Sequence, residues 1–191
     1  MVSAVKAALR HAFRQLRRQH VAGLQQVLEH SLGGWLQPWT RSAAGRHLGL
    51  FWPQGSEPDL RSSLQQLSCP LALPVVEAGE LRYRHWLPGE RLAPDECGIP
   101  APLPSMQLLS AEQLALLLVP ALAIDRGGVR LGSGGGWYDR LRREPAWRAV
   151  PALVVLPAAC VSERLPADPW DVPFDGWLDE LGLHWFTPPR F

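Results

Sequence analysis

The hydrophobic positions of this chain follow a helical period at the N-terminus and strand-like patterns afterwards. Over residues 5–32, apolar side chains recur every three or four residues, which is the spacing of one buried stripe on a helix. Gly33 and Gly34 come next and are expected to end that helix. The sequence therefore predicts one long N-terminal helix with a single buried face.

Beyond that helix, most of the predicted strands are apolar over nearly their whole length. A strand of this kind is typical of the centre of a sheet that is covered on both faces. In residues 80–89, arginines alternate with apolar side chains, which is typical of a strand that is exposed on one side. Residues 93–105 contain four prolines among thirteen residues and are expected to form a loop. The predicted buried strands are 47–52, 70–76, 114–124 and 149–157.

The predicted helices fall between these strands and suggest how the strands are connected. A helix is expected to begin near Leu60, and another to occupy residues 137–143. Strand, loop, helix and strand in this order form a parallel crossover unit. A short strand is expected at 176–178, with another at the end of the chain. We predict a three-layer α/β/α fold with a mostly parallel central sheet, formed by residues 1–191 as a single domain.

Composition and charge narrow the class of protein. With 47% hydrophobic residues, 19% charged residues and a net charge of +1, the chain is typical of a soluble globular protein with no nucleic-acid partner. No apolar run approaches 18 residues, so we expect no membrane association. Cys69, Cys97 and Cys160 are too widely spaced to indicate a disulfide framework or a zinc site. We expect a cytoplasmic monomer, although the Arg-rich N-terminus leaves a transit peptide as an alternative.

Chemistry is first indicated by the segment "RLGSGGGWYDR", residues 130–140. Glycines allow backbone N–H groups to approach an anion closely, and the start of a following helix favours the same anion. Arg130 can neutralise a phosphate, and Asp139 can hold a magnesium ion. The known phosphate-binding patterns fail in detail, because Trp137 stands where a dinucleotide-binding loop needs its third glycine. A glycine-rich turn without a ligand therefore stays an open alternative.

A row of basic residues on the N-terminal helix is a second candidate. Lys6, Arg10, Arg14 and Arg17 are spaced so that they form one stripe. From the residues alone, this stripe is either a solvated basic face or a set of cations that bind a polyphosphate.

The segment "VPALAIDRGGVRLGSGGGWYDRL", residues 119–141, resembles the signature of the 5-formyltetrahydrofolate cyclo-ligase family. Further matching segments, such as "KAALR" at 6–10 and "LPADPWDVPFDGWLDE" at 165–180, occur in the family's order, so the resemblance spans nearly the whole chain. It implies closure of 5-formyltetrahydrofolate, polyglutamylated forms included, to 5,10-methenyltetrahydrofolate. It also implies ATP and Mg²⁺ as the cofactors of that reaction.

The resemblance implies a role for each group of candidate residues. Lys6 and Arg130 are expected to act in catalysis: Lys6 contacts the ATP phosphates, and Arg130 balances charge during phosphoryl transfer. Asp139 and Asp171 match the family's two magnesium-binding carboxylates. Glu57 matches the acidic residue that binds the pterin, and Trp52 and Trp137 are expected to stack on the substrate rings. The residues expected to bind ATP are Lys6, Arg10, Arg130, Leu131, Gly132, Ser133, Gly134, Gly135, Gly136, Trp137 and Tyr138.

Several positions depart from the residues that are common in the family. Ala115 and Cys160 are expected to reflect repacking, whereas Ala101 and Trp170 are expected to lie near the ligands and to affect folate affinity or metal geometry. These departures favour one alternative, a family member that binds folate or ATP with weakened turnover. A dinucleotide-dependent oxidoreductase is a weaker alternative, because no acidic residue follows the loop at the required distance.

Overall fold

The structure is a computed structural model that describes residues 2–42, 45–63, 67 and 69–187. Its α-helices are α1 (Val2–Ser42), α2 (Trp137–Arg143) and α3 (Pro145–Ala149). Its first six strands are β1 (His47–Gly49), β2 (Leu71–Glu77), β3 (Glu80–Trp86), β4 (Leu92–Pro94), β5 (Pro100–Pro102) and β6 (Leu108–Leu109). The remaining strands are β7 (Leu114–Pro120), β8 (Ala123–Asp125), β9 (Arg130–Leu131), β10 (Ala152–Val155), β11 (Val161–Ser162), β12 (Gly176–Asp179) and β13 (Gly182–Trp185).

The main sheet has eight strands in the order β13-β12-β10-β7-β1-β2-β3-β6. The four central pairings, from β12 to β2, are parallel. The pairings at the two edges are antiparallel, because β13 folds back on β12 while β3 and β6 extend the other side. A three-stranded sheet, β11-β8-β9, and a two-stranded ribbon, β4-β5, stand beside it. The prediction of a mostly parallel central sheet is confirmed.

The central strand β7 shows why the fold has three layers. Its residues alternate between two hydrophobic clusters, as the two-residue period of a strand requires. Leu116 and Leu118 pack in the cluster that contains the second half of α1. Leu117 and Val119 pack in the other cluster, together with Tyr138 of α2. The sheet is therefore covered by α1 on one face and by α2 and α3 on the other, which confirms the α/β/α prediction.

Helix α1 continues past the predicted stop, so the prediction that Gly33 and Gly34 end it is wrong. The helix runs on to Ser42 because Leu36 and Trp39 extend its buried stripe into the core, with exposed fractions of 0% and 8%. A glycine within a helix costs about 1 kcal/mol relative to alanine. Full burial of one large apolar side chain contributes about 1.5–3 kcal/mol, so tertiary packing outweighs the local glycine signal.

The apolar run 114–124 is not one strand, which corrects the prediction. Strand β7 ends at Pro120, and β8 begins at Ala123 in the separate three-stranded sheet. Pro120 has no N–H to donate to a ladder. The carbonyl oxygen of Ala121 accepts a hydrogen bond from Arg17 of α1 instead of a strand partner (2.9 Å). The chain thus leaves the main sheet just where Arg17 approaches it.

Strand β3 differs from the prediction of one exposed face. Trp86 belongs to the core under α1, and Tyr83 to the core under α2. Arg84 is also buried, because it pairs with Glu77 (2.9 Å) and donates to two backbone carbonyls. A paired arginine can therefore fill a covered position that its charge alone would assign to solvent.

The proline-rich segment 93–105 is not entirely loop, because β4 and β5 pair within it as an antiparallel ribbon. Asp95 organises the intervening turn: one of its carboxylate oxygens accepts from the backbone N–H groups of Cys97 and Ile99. The other oxygen accepts from the N–H of Val76 on β2 and so ties the ribbon to the sheet. A two-stranded ribbon tolerates prolines because few of its N–H groups need a partner.

Of the remaining predicted helices and strands, most occur in the structure, and one does not occur in the described residues. Helix α2 and strands β10, β12 and β13 occur where the sequence places them. Residues 61–63, where a helix is expected, form a turn, and residues 64–66 and 68 lie outside the described residues. Among the helices of the described chain, none is long and apolar enough to cross a membrane. The monomeric state, the cytoplasmic location and the lack of a nucleic-acid partner stay predictions.

Candidate active site

A cleft of about 380 Å³ opens where the parallel strands end. Its walls include Pro120, the last residue of β7, and Phe51 and Trp52, which follow β1. Ligands collect at this edge in open α/β sheets. All the residues that the sequence indicates for the site line this cleft: Lys6, Arg10, Trp52, Glu57, Arg130, Leu131, Gly132, Ser133, Gly134, Gly135, Gly136, Trp137, Tyr138, Asp139 and Asp171.

The glycine loop between β9 and α2 needs its glycines for two reasons. Gly134 and Gly136 have φ angles of 120° and 65°, which side-chain-bearing residues rarely adopt. At Gly132, an added Cβ would stand 2.7 Å from a guanidinium nitrogen of Arg130. Arg10 of α1 donates from Nε to the carbonyl oxygen of Gly132 (3.1 Å), so the basic helix and the loop meet directly.

Arg130 is the cation at the base of the loop, and its side chain is only 5% exposed. It donates to Asp139 Oδ2 (3.0 Å) and to the carbonyl oxygen of Pro120 (3.1 Å). Its guanidinium carbon lies 5.4 Å from the ring centre of Tyr138 and 5.2 Å from that of Phe174. Burial also raises the pKa of the Tyr138 phenol far above its usual value, so the hydroxyl stays protonated.

Lys6 lies at the N-terminal end of α1 and is held by two carboxylates. Its Nζ donates to Asp168 Oδ2 at 2.7 Å and to Asp171 Oδ2 at 2.6 Å. Burial alone would lower the pKa of Lys6, but these hydrogen bonds and charges outweigh it and raise the pKa. Lys6 therefore stays charged, and the N-terminus of α1 is fixed against the loop that carries both aspartates.

Glu57 lies in another part of the cleft and is held by Arg17. The Glu57 side chain is 8% exposed, and its Oε2 accepts from the backbone N–H of Gln54 at 2.9 Å. Arg17 Nη1 lies 3.5 Å from Glu57 Oε1, while Arg17 Nε donates to Ser56 Oγ at 3.0 Å. Burial raises the pKa of Glu57, and the Gln54 hydrogen bond and the Arg17 charge oppose that rise.

The two predicted metal ligands are each paired with a cation in this structure. Asp139 Oδ2 accepts from Arg130, and Asp171 Oδ2 accepts from Lys6 and from the backbone N–H of Asp168. Within the described ranges, no group of three or more His, Cys, Asp or Glu side chains is placed to hold a metal. Magnesium commonly takes one or two carboxylates and completes its shell with water and phosphate oxygens. Asp139 and Asp171 line the same cleft, so they fit an ion that completes its shell with water and phosphate oxygens, but not an all-protein metal cage.

The geometry agrees with the family that matches the chain. The family model described as the 5-formyltetrahydrofolate cyclo-ligase family matches residues 2–179. The chain belongs to this family.

Individual cyclo-ligases are similar over most of the chain. The 5-formyltetrahydrofolate cyclo-ligase of Mycolicibacterium smegmatis is 36% identical over 97% of this chain and 94% of its own length. The Escherichia coli K12 cyclo-ligase is 28% identical over 84% of this chain and 92% of its own length. The structure of Aquifex aeolicus 5,10-methenyltetrahydrofolate synthetase superposes with a TM-score of 0.77 at 26% identity, covering 98% of this chain and 95% of that one. The fold and the family are thus shown together.

The four departures from the common cyclo-ligase residues occupy different environments. Ala101 and Ala115 are buried in β5 and β7, and Cys160 is buried in the core under α2. Trp170 lines the cleft and is 55% exposed, as expected of a residue near the ligands. Ala101 is not among the described residues that line the cleft, whereas its neighbour Ile99 is.

The sequence interpretation missed Asp168 and Arg140, and it named Arg17 only as part of the basic stripe, without its carboxylate partner. Arg17 is buried against Glu57 rather than forming a solvated face, and its spacing of three helical turns from Lys6 is a signal that could have shown this. Asp168 follows a proline-rich segment with no regular period, so no sequence signal marks it. Arg140 covers the Trp137 ring at 4.3 Å and donates to the Gly135 carbonyl (2.9 Å); its position one turn into α2 was the available signal.

Proposed function

We propose that this chain catalyses the ATP-dependent cyclisation of 5-formyltetrahydrofolate to 5,10-methenyltetrahydrofolate. One observation carries the proposal: a single cleft collects the cations, the glycine loop, the two carboxylates and the buried Glu57 that this reaction requires. The family and the 36% identical cyclo-ligase support the same assignment. ATP and Mg²⁺ are the proposed cofactors, and folate substrates with polyglutamate tails belong to the same proposal.

The proposed reaction converts a poor leaving group, the formyl oxygen, into a good one. A formamide oxygen leaves poorly, so the γ-phosphoryl group of ATP is transferred to it and ADP departs. The N10 amine then attacks the formyl carbon and loses its proton, and the C–O bond to phosphate breaks to complete the ring. Such a reaction depends on positioning and charge neutralisation more than on a strong base.

The proposed role of each residue follows from its position in the cleft. Lys6, Arg10 and the backbone of the glycine loop bind the phosphates, and Arg130 neutralises charge during the transfer. The two carboxylates, Asp139 and Asp171, would hold Mg²⁺, which supplies charge neutralisation at phosphate oxygens when it is bound. Glu57 accepts hydrogen bonds from the amino-pyrimidinone edge of the pterin, because a carboxylate can accept a pair of them. The exposed faces of Trp52 and Trp137 serve the flat rings of the substrate.

The test is formation of the methenyl product, followed by its absorbance, with 5-formyltetrahydrofolate and magnesium in the presence and absence of ATP. We expect product only with ATP, and one ADP released for each ring closed. A preparation that binds ATP and folate in calorimetry but forms no product would overturn the enzymatic proposal. That result would favour the alternative, a cyclo-ligase relative that binds its ligands without turnover.

A further inference from the structure

We propose that Trp170 forms the nucleobase subsite, so that its indole stacks on the adenine ring of the bound nucleotide. The inference rests on the proposed function for the identity of the ligand. It adds a residue that binds the base, whereas the residues discussed above account for the phosphates and the folate.

Trp170 is displayed on a tight and strongly anchored turn. The backbone N–H of Asp171 donates to the carbonyl oxygen of Asp168 at 3.0 Å, which closes a four-residue turn. Pro169, the second residue of that turn, has a φ angle fixed by its ring. The backbone N–H of Asp168 in turn donates to Asp171 Oδ2 at 2.9 Å. Trp170 therefore projects from a short frame closed by two hydrogen bonds.

Lys6 locks the same turn against α1. Its ammonium group bridges the side chains of Asp168 and Asp171, which are 20% and 14% exposed. The position of the indole is thus tied to the position of the cation that we assign to the phosphates. Because the frame is fixed before a ligand arrives, little conformational entropy is lost when a flat ring stacks on it.

The indole itself is exposed on the wall of the cleft. Trp170 is 55% exposed although it is one of the residues lining the cleft. A large aromatic side chain that projects from an anchored turn and is left uncovered at a ligand cleft is suited to stacking on a planar ring. The remaining question is which planar ring it meets.

The geometry of α1 favours the base over the pterin. Arg17 contacts Glu57, the proposed pterin ligand, whereas Lys6 contacts the Trp170 turn. Eleven residues of helix separate these two contacts, which corresponds to about 16 Å along the axis. The γ-phosphate must reach the formyl group near the pterin, so the base belongs at the far end of the triphosphate. The base therefore belongs on the side of the phosphates away from Glu57, and Trp170 lines the cleft beside the turn that Lys6 contacts.

The experiment compares two ligands that share a triphosphate but differ in the base. Binding of ATP and of inorganic tripolyphosphate, both with magnesium, is measured by calorimetry for the wild type and for Trp170→Ala. We expect ATP binding to weaken by about fivefold or more, as loss of one base–aromatic stack does. Tripolyphosphate binding should stay within about twofold, because Lys6 and its two carboxylates are unchanged.

Two further variants separate stacking from structural effects. Trp170→Phe keeps a stacking ring and should restore most of the ATP affinity. Leu181→Ala removes a 75% exposed apolar side chain from the turn between β12 and β13 and should change neither affinity. Equal weakening of ATP and tripolyphosphate by Trp170→Ala would show that Trp170 acts through the turn and would overturn the subsite.

The same data distinguish this inference from the proposed function. Unchanged ATP binding in Trp170→Ala, or a wild type that binds ATP no better than tripolyphosphate, removes the subsite even when product forms normally. A selective loss of ATP affinity without any turnover in the wild type keeps the subsite and removes the enzymatic proposal. A raised KM for folate with unchanged ATP affinity would assign the indole to the substrate instead and would also overturn the inference.

Discussion

Two buried arginines lie near the same phenylalanine ring, and each pairs with an aspartate, but the two pairs differ in their other contacts. Arg130 and Arg142 lie with their guanidinium carbons 5.2 and 4.9 Å from the ring centre of Phe174. Each donates to one aspartate, Asp139 and Asp175 respectively, at 3.0 and 3.1 Å. Their side chains are 5% and 1% exposed. Burial and pairing alone therefore do not tell them apart.

The difference lies in the surroundings of each pair. Arg142 also donates to the carbonyl oxygens of Val150 and Pro173, and its partner Asp175 accepts from the backbone N–H of Ala152. These contacts join α2 to β10 and to the segment before β12, so we interpret the pair as structural. Arg130 and Asp139 both line the cleft, so their charges are available to a ligand. We therefore use access to the cleft, not burial, to assign a functional role to Arg130–Asp139 and a structural role to Arg142–Asp175.

The largest effect is expected from Arg142→Met. This change leaves the carbonyl oxygens of Val150 and Pro173 without the Arg142 donor, while Asp175 loses its cation and keeps the Ala152 N–H. We expect the free energy of unfolding to fall by about 3 kcal/mol, measured by denaturant titration. The folded fraction should retain normal KM values. A loss of kcat in fully folded Arg142→Met, with unchanged stability, would contradict the structural interpretation.

The second effect, from Arg130→Ala, should appear in catalysis rather than in stability. Arg130 donates to one backbone carbonyl besides Asp139, whereas Arg142 donates to two besides Asp175, so the loss of unfolding free energy should be smaller than for Arg142→Met. We expect kcat to fall at least tenfold, about 1.4 kcal/mol of transition-state stabilisation. Steady-state turnover at saturating ATP and folate measures this loss. Unchanged kcat in a folded Arg130→Ala variant would remove the assigned role.

These two arginines also show what the sequence could predict. Arg130 stands at the head of a glycine-rich motif, and its role is inferred from that motif and its spacing. Arg142 follows that motif, at a position in α2 where three basic residues look alike. Only the approach of Phe174 and Asp175, more than thirty residues later in the chain, distinguishes it. The pattern of neighbouring residues can reveal a residue whose role depends on the adjacent backbone. It cannot reveal a contact between residues that only the fold brings together.

This dependence on neighbouring residues also explains which elements of the fold could be predicted from the sequence and which could not. The strands of the parallel core are predictable because each one is apolar over its length and buried on both faces. The end of α1 is not predictable, because Gly33 and Gly34 give a local stop signal that packing of Trp39 on Trp185 overrides. The stacked rings lie 4.6 Å apart and come from opposite ends of the chain. No window of neighbouring residues contains that contact.

Arg17 extends the comparison to the folate side of the cleft, where we expect a smaller effect from Arg17→Met. Its carboxylate partner Glu57 lines the cleft, so the pair resembles Arg130–Asp139 rather than Arg142–Asp175. Without Arg17, Glu57 loses the cation that opposes the effect of burial on its pKa, and we expect the pKa to rise further. The KM for folate should rise about fivefold at neutral pH, since a charge-assisted contact contributes about 1 kcal/mol or more. The KM for ATP should change less.

The pH dependence gives this variant a second readout. Glu57 can accept the pair of hydrogen bonds from the pterin at both oxygens only while it is ionised, so the KM for folate should rise as the pH falls towards the pKa of Glu57. Because burial already raises that pKa, the rise begins at a higher pH than for an exposed glutamate, and Arg17→Met should move it higher still. Arg14→Met, one helical turn earlier, is the matched control and should leave the profile in place. An unshifted profile in Arg17→Met would mean that Arg17 acts only as a structural contact.

The smallest effect is expected from Arg140→Gln, which tests whether a similar contact matters when it is exposed. Arg140 donates to the carbonyl oxygen of Gly135 and covers the Trp137 ring at 4.3 Å, so it touches the glycine loop as directly as Arg10 does. Water competes for both contacts, however, and exposed cation–π pairs contribute only about 0.5–1 kcal/mol. We therefore expect the KM for ATP to stay within about threefold and kcat to be unchanged in steady-state assays. A tenfold rise in the KM for ATP would show that the loop depends on Arg140 for its shape, and that exposure of a cleft contact does not make its effect small.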